Sequence, residues 1–265
     1  MRKLHLLIAI FVMALVSCDM KFRPNDNERA NHIVIQRYDR LESRYLTTGD
    51  FSALQQMNTS YPIETRTLVE DVLKLGEVNE PHINNKFLSF FQDTTLQTII
   101  SDAEAQYANV ADLNEQLNFS FGKLKSWIPD LQIPDVYLQI GALDQSIIVG
   151  EKMISISLDK YLGKDYPLYA RFYSESQRQS MGRGYIVPDC LTFYLLSLYP
   201  MANFDHRTQL EKDLHMAKVM WVANRALQRP VFHTKYIDMV GRYMQRNPKV
   251  SIKQLLEGND YSDFK

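Results

Sequence analysis

The chain has 265 residues, of which 45% are hydrophobic and 23% are charged, and its formal net charge at pH 7 is −1. Such a composition is typical of a well-packed globular protein and excludes a mostly disordered chain. Nothing in this near-neutral balance suggests a nucleic-acid partner, which would require a concentrated basic face.

The chain begins with the layout of a secretory signal peptide. Arg2 and Lys3 precede an apolar run over residues 6–15. This run is too short to span a bilayer, because a membrane helix needs about 20 apolar residues. The run ends in Leu-Val-Ser-Cys18, which resembles a bacterial lipobox, where cleavage before the cysteine leaves that residue to be acylated. We predict a lipoprotein signal peptide over residues 1–17 and lipid attachment at Cys18, with plain secretion and an uncleaved anchor as the alternatives.

A short tether follows the predicted lipid. Residues 18–31 are polar and mixed in charge, without periodicity, which is typical of a flexible linker. A linker of this length spans roughly 20 Å on average. If Cys18 is acylated, Cys190 is the one remaining thiol, so no internal disulfide is expected. We predict a single globular domain over residues 32–265.

The first half of that domain reads as mainly helical. A β-branched run at residues 33–38 predicts a short strand. Pro62 lies at a helix start, and Gly76 is placed to end the same helix. Further helices are expected over residues 84–91, 94–107 and 112–127.

The pattern changes after Pro134. Three apolar or alternating runs predict strands over residues 136–140, 146–149 and 153–158. The last two strands are joined by a short glycine-containing turn and predict a hairpin. Helices are then expected in the tyrosine-rich region up to residue 173, at 181–198, 208–227 and 231–245, and after a capping box at Ser251. The predicted fold is α+β and predominantly α-helical, with helices around a small antiparallel sheet.

Several short motifs occur in a fixed order along the chain. They are Arg37-Tyr38-Asp39, Tyr61-Pro62, Leu158-Asp159-Lys160-Tyr161-Leu162-Gly163, Asp165-Tyr166-Pro167 and Ile186-Val187-Pro188-Asp189. Behind a lipobox, this succession resembles the gliding-motility lipoprotein GldB family of Bacteroidetes over nearly the whole mature chain. The resemblance implies an envelope lipoprotein needed for gliding and linked machinery. Its partners would be a membrane, reached through the lipid, and other envelope proteins; we expect the outer rather than the inner membrane.

The resemblance also implies a degenerate zincin-like fold, in which a hairpin edge strand lies beside the helix that carries the active site. A working zincin needs His-Glu-x-x-His, whose two imidazoles hold zinc while the glutamate acts as a base. Residues 185–195 contain neither histidine nor glutamate. We therefore expect no metal, no cofactor and no catalytic residue, and we predict a non-catalytic binding or assembly protein. An envelope hydrolase or peptidase with an unrecognised active site is the alternative.

A ligand groove is a further hypothesis. Tyr161, Tyr166, Tyr169 and Tyr185, with Asp159, are candidates to line it, because an aromatic ring stacks on a sugar and hydrogen-bonds at its tip. Packing at the edge of the core is the competing interpretation of the tyrosines. For Asp159, capping of the helix that follows its strand is the favoured interpretation, with binding or catalysis as the alternative. Nearby arginines at 171, 178 and 183 either bind an anionic group or form a solvated face.

Two other groups have a functional and a structural interpretation. Cys190 lies in an apolar helix and is expected to be a small buried hydrophobe, with a nucleophile as the alternative. Glu211 and His215 are one helical turn apart, with Asp205 and His206 upstream. Such pairs are more often solvated neighbours on a helix surface than metal ligands.

Overall fold

Helices make up most of the computed structural model, which describes residues 32–264. The predicted signal peptide, the lipid attachment at Cys18 and the tether lie outside the described residues. The first group of helices comprises α1 (Tyr38–Thr48), α2 (Phe51–Ser60), α3 (Pro62–Arg66), α4 (Ile83–Phe90), α5 (Thr94–Gln106) and α6 (Ala111–Trp127).

Local sequence chemistry accounts for where these helices begin. Asp50 and Asp93 accept hydrogen bonds from the first N–H groups of α2 and α5, which have no partner inside the helix. Pro62 starts α3 as predicted. The chain then continues in a π-helical segment, Thr67–Val72. This segment ends four residues before Gly76, the residue that was predicted to end the helix.

The sheet has three strands, β1 (Asp135–Gln139), β2 (Ile147–Gly150) and β3 (Met153–Ser157). The predicted hairpin is confirmed, because β2 and β3 pair antiparallel. The prediction of a wholly antiparallel sheet is corrected, because β1 pairs parallel to β3 and the strand order is β1-β3-β2. After the hairpin turn, β3 runs back in the direction of β1 and inserts between the two earlier strands.

The strand predicted at residues 33–38 is reduced to one bridge. Gln36 pairs with Tyr137 of β1 in parallel, donating its N–H to Val136 O at 2.8 Å and accepting from Leu138 N at 3.0 Å. The pairing stops there because α1 begins at Tyr38. Upstream, Ile33 is fixed to α6 by two bonds with Asn118, from Ile33 N to Oδ1 at 2.8 Å and from Nδ2 to Ile33 O at 2.7 Å.

The second half returns to helices. These are α7 (Glu175–Arg178), α8 (Ile186–Leu198), α9 (Gln209–Leu227), α10 (Lys235–Arg246) and α11 (Ile252–Glu257). The capping box at Ser251 is confirmed, and Thr208 forms another at the start of α9. The tyrosine-rich region up to residue 173 is not the regular helix predicted; it forms the short 3-10 turns Leu158–Lys160 and Pro167–Arg171.

The sheet is covered by helices on both sides of its strands. α1 packs against β1, while α8 packs against β2 and β3, and α9 lies against α6, α8 and α10. In β1 the consecutive residues Val136, Tyr137 and Leu138 are all buried, as expected for a strand enclosed on both faces. Residues Ile33–Lys265 group into one compact unit. Among residues 32–264, no helix combines the length and the apolar character that crossing a membrane requires.

Candidate functional site

The turn that follows β3 holds a buried carboxylate. Asp159 is completely buried, and its two oxygens accept hydrogen bonds from Gly141 N, at 2.7 Å, and from Leu143 N. Burial raises the pKa of Asp159, although these backbone bonds act in the opposite direction. The expected helix cap is therefore corrected: Asp159 lies inside the 3-10 turn Leu158–Lys160 and not at its N-cap, and its carboxylate accepts backbone N–H groups of the loop after β1.

Tyr169 also forms hydrogen bonds with the backbone around this turn. Its hydroxyl donates to the Asp159 carbonyl oxygen and accepts a 2.9 Å hydrogen bond from Leu162 N. Tyr169 is itself completely buried. Both hydrogen-bonding functions of the hydroxyl are thus used inside the protein.

Tyr161 links this region to α8. Its hydroxyl donates to Asp189 Oδ2 at 2.8 Å, and its carbonyl oxygen accepts a 2.6 Å bond from the Tyr107 hydroxyl. Burial raises the pKa of Asp189 to about 6, while the bond from Tyr161 lowers it. Tyr161 is 1% exposed, so its ring is enclosed.

The five residues proposed for a ligand groove therefore separate into two groups. Asp159, Tyr161 and Tyr169 are buried, so in this structure their side chains form part of the core and not of an open surface. Tyr166 lines a cavity of about 370 Å³, where its hydroxyl donates to Asp102 at 2.8 Å. Tyr185 is half-buried in the 3-10 turn before α8. A groove at Tyr166 and Tyr185 stays a prediction.

The three nearby arginines do not share one partner. Arg183 binds the Asp112 carboxylate through Nε at 3.0 Å and through Nη2, and Arg178 donates to Lys164 O at 3.3 Å. Arg171 lines the Tyr166 cavity. Of the three, Arg171 is the one whose charge faces a cavity beside the tyrosine region.

Cys190 lies in the first turns of α8 and is completely buried. Burial raises the pKa of its thiol, and the neighbouring Asp189 adds to this effect. A nucleophilic cysteine needs the thiolate form and access to a substrate. Its surroundings agree with the interpretation as a small buried hydrophobe.

The acidic and histidine residues near the start of α9 have separate structural roles. Glu211 completes the capping box by accepting from Thr208 N and also binds Arg207 at 2.8 Å. His215 is buried, with its Nδ1 3.0 Å from the Tyr261 hydroxyl. Burial and then the nearby Lys218 lower the pKa of His215 to about 4. Asp205 and His206 lie in an exposed 3-10 turn.

No group of three or more His, Cys, Asp or Glu side chains is placed to hold a metal ion within residues 32–264. The edge strand β2 lies beside α8. This helix contains Asp189 and Cys190 and no histidine.

The sequence did not point to a groove between α6, α9 and α10. It encloses about 930 Å³, and its walls include Trp127, Trp221 and Arg242. We call it the tryptophan groove. The residues that form it are far apart in the sequence, and the one signal available was that the chain has two tryptophans, both of which lie here.

Comparison with known proteins identifies the family. A family model described as gliding motility protein GldB matches residues 21–234. No curated protein and no solved structure matches the chain, so the likeness to zincins stays an expectation. Because the match covers most of the 265 residues, the chain belongs to the gliding motility protein GldB family.

Proposed function

We propose that this chain is a lipid-anchored lipoprotein of the cell envelope that acts as a non-catalytic binding or assembly component of gliding-motility machinery. Family membership supports the link to gliding motility. The leader and the lipobox-like ending at Cys18 support anchoring, which we propose is to the outer membrane. Two or more acyl chains hold a protein on a membrane stably, whereas a single chain binds only marginally.

One observation carries the non-catalytic part of the proposal: three of the candidate reactive groups, Asp159, Cys190 and His215, are buried inside the fold. Both oxygens of Asp159 accept backbone N–H groups, Cys190 is completely buried, and His215 contacts Tyr261. A catalytic group has to come within hydrogen-bonding distance of a substrate atom. These side chains instead stabilise the fold, which leaves the surface of the domain to make its functional contacts.

A second candidate function, an envelope hydrolase, is favoured by Asp189. Its pKa is raised to about 6 by burial, and a general acid or base works best when its pKa lies near the working pH. Asp189 is also only partly enclosed. In such an enzyme the Tyr161 hydroxyl would orient the carboxylate.

Metabolic labelling with palmitate tests the anchor. Cells that produce the wild type should incorporate label into this chain, and cells that produce Cys18→Ala should not. Cys190→Ala is the matched control, because it removes the other cysteine and should leave labelling unchanged. Equal labelling of the wild type and Cys18→Ala would disprove lipid attachment at Cys18.

Cross-linking in cells tests the assembly role. The anchored wild type should cross-link to envelope proteins of the gliding machinery, and Cys18→Ala should lose these contacts because it is released from the membrane.

An activity assay tests the alternative function, the envelope hydrolase. If the purified chain cleaves peptides or cell-wall fragments and Asp189→Asn abolishes the cleavage, the non-catalytic proposal is wrong.

A further inference from the structure

The tryptophan groove combines aromatic faces with positive charge. Its walls contain Lys123, Arg225, Arg229 and Arg242, with Asp238 as the one carboxylate of the lining. The chain as a whole has a formal net charge of −1, so this basic character is local. A groove lined mainly by one sign of charge concentrates ligands of the opposite sign.

The positive groups of the groove are not neutralised by acidic side chains. Arg229 donates to Gly184 O at 3.1 Å, and the Arg225 guanidinium lies 5.6 Å from the centre of the Trp221 ring. Arg242 is exposed and has no hydrogen-bond or ion-pair partner within residues 32–264. Among those residues, none of the four cations forms an ion pair. Their charges are therefore available to an anion in the groove.

Uncharged hydrogen-bonding groups complete the lining. The amides of Gln228 and Gln245 border the groove, and their side chains make no hydrogen bond within the described part of the chain. An amide both donates and accepts, as does a sugar hydroxyl. The Asp238 carboxylate is likewise unbonded within residues 32–264 and adds an acceptor.

The two indoles supply flat apolar surface. Trp127 and Trp221 are each half-buried, so part of each ring is held by the fold and part is open. Gly241 of α10 lets the helix approach Trp221 closely, since a Cβ at this position would lie 3.3 Å from the indole Nε1. Part of the Trp221 ring is thus packed against α10.

We propose that the tryptophan groove binds an acidic glycan, that is, a sugar chain that carries carboxylate, sulfate or phosphate groups. The indoles stack on sugar rings, the amides bind hydroxyls, and the guanidinium groups bind the acidic substituents, which they match in geometry. An acidic peptide would use the charges without needing the indole faces. A flat lipid surface does not enter a concave groove. The proposal holds whether or not the chain is anchored or catalytic, so it goes beyond the proposed function.

Intrinsic tryptophan fluorescence of the full chain tests this proposal directly. Because both tryptophans line the groove, a change in their emission reports a ligand at this place. The probes are an oligogalacturonate, which is carboxylated, and a heparin oligosaccharide, which is sulfated. We expect a saturable change with at least one of them that weakens as salt is added, since salt screens charge. Neutral dextran should give no change.

Matched arginine variants locate the site. Arg242→Gln should weaken glycan binding about tenfold, the size expected for losing one hydrogen bond to a charged group. Arg66→Gln removes the same charge from an exposed position outside the groove and should bind like the wild type. Gln245→Ala, another exposed position, should also weaken binding. These surface changes avoid the risk that Trp221→Ala fails to fold.

Four outcomes would overturn the proposal. The first is no fluorescence change with either acidic glycan. The second is equal binding of neutral dextran, which would show that the charges have no role. The third is polyglutamate binding as tightly as the glycans, with the same loss in Arg242→Gln, which would identify an acidic peptide site. The fourth is Arg242-dependent binding to phosphatidylglycerol vesicles in place of glycans, which would identify a lipid headgroup site.

Discussion

Glu42 of α1 accepts a 2.8 Å hydrogen bond at Oε2 from the Ile140 N–H, which joins the helix to the end of β1. The Glu42 side chain is completely buried, and its Oε1 has no hydrogen-bond partner within residues 32–264. Burial raises the pKa of Glu42; the bond from Ile140 lowers it, and the nearby Asp159 and Asp39 carboxyls raise it. Folding therefore favours the protonated carboxyl of Glu42 relative to the unfolded chain.

Glu42→Gln should make the protein more stable relative to the wild type as the pH rises. Because the pKa of Glu42 is raised in the folded state, the unfolded chain loses this proton first, and folding stability falls above about pH 4. Glutamine cannot ionise, so the variant lacks this loss. Urea denaturation over a series of pH values measures the difference. Glu115→Gln, at an exposed position, should follow the wild-type curve; identical curves for Glu42→Gln would contradict the prediction.

Tyr161→Phe should raise the pKa of Asp189 above its value of about 6. The Tyr161 hydroxyl donates to Asp189, and this bond favours the charged carboxylate over the neutral acid. The variant should also lose about 1 kcal/mol of folding stability, the usual size for one hydrogen bond. Titration of the Asp189 carboxyl carbon by NMR measures the pKa. Tyr166→Phe removes a hydroxyl that binds Asp102 and should leave the Asp189 titration unchanged.

Asp159→Asn should destabilise the fold by about 1.5–3 kcal/mol, the range for hydrogen bonds to a charged group. Gly141 N and Leu143 N donate to different oxygens of Asp159, and asparagine replaces one of these oxygens with an NH2 group, which donates and cannot accept. Chemical denaturation measures the loss. Asp144→Asn changes an exposed carboxylate in the same loop and should be close to neutral. If Asp159→Asn has the same folding stability as the wild type, the carboxylate does not stabilise this loop.

His215 should remain neutral at pH 5.5, where an ordinary histidine is mostly charged. Burial lowers its pKa to about 4, so folding stability is lost as the pH falls from about 6.5 towards 4. NMR of the imidazole nitrogens reports the charge state. The loss of folding stability that His215 causes as the pH falls should disappear in His215→Gln. A charged His215 at pH 5.5 would contradict the burial of this side chain against Tyr261.

The sequence predicted secondary structure best where the residues that determine it lie close together in the chain. Pro62 and Ser251 start helices through chemistry within one turn of the chain, and both starts are confirmed. The hairpin of β2 and β3 follows from its short turn and is also confirmed. The parallel pairing of β1 with β3 depends on where the chain returns after the hairpin, which no local pattern encodes.

The candidate site was harder to predict because burial is a property of the whole fold. The spacing of Tyr161, Tyr166 and Tyr169 was compatible with either a groove or a core edge. The core encloses the first and third, and Tyr166 borders a cavity. The tryptophan groove joins the end of α6 to α9 and α10, so its chemistry becomes apparent only when those helices are packed.

The two hydrogen bonds between Ile33 and Asn118 have a mechanical consequence. Any tension on the chain before Ile33 enters the folded unit at this pair and passes into α6. A second bond, from Ile35 N to Asn114 Oδ1 at 2.9 Å, connects the same segment to the same helix. Load is therefore borne by side-chain bonds to a long helix before it reaches the Gln36 bridge to β1. A protein pulled at its N terminus would in this way protect its sheet from being peeled apart strand by strand.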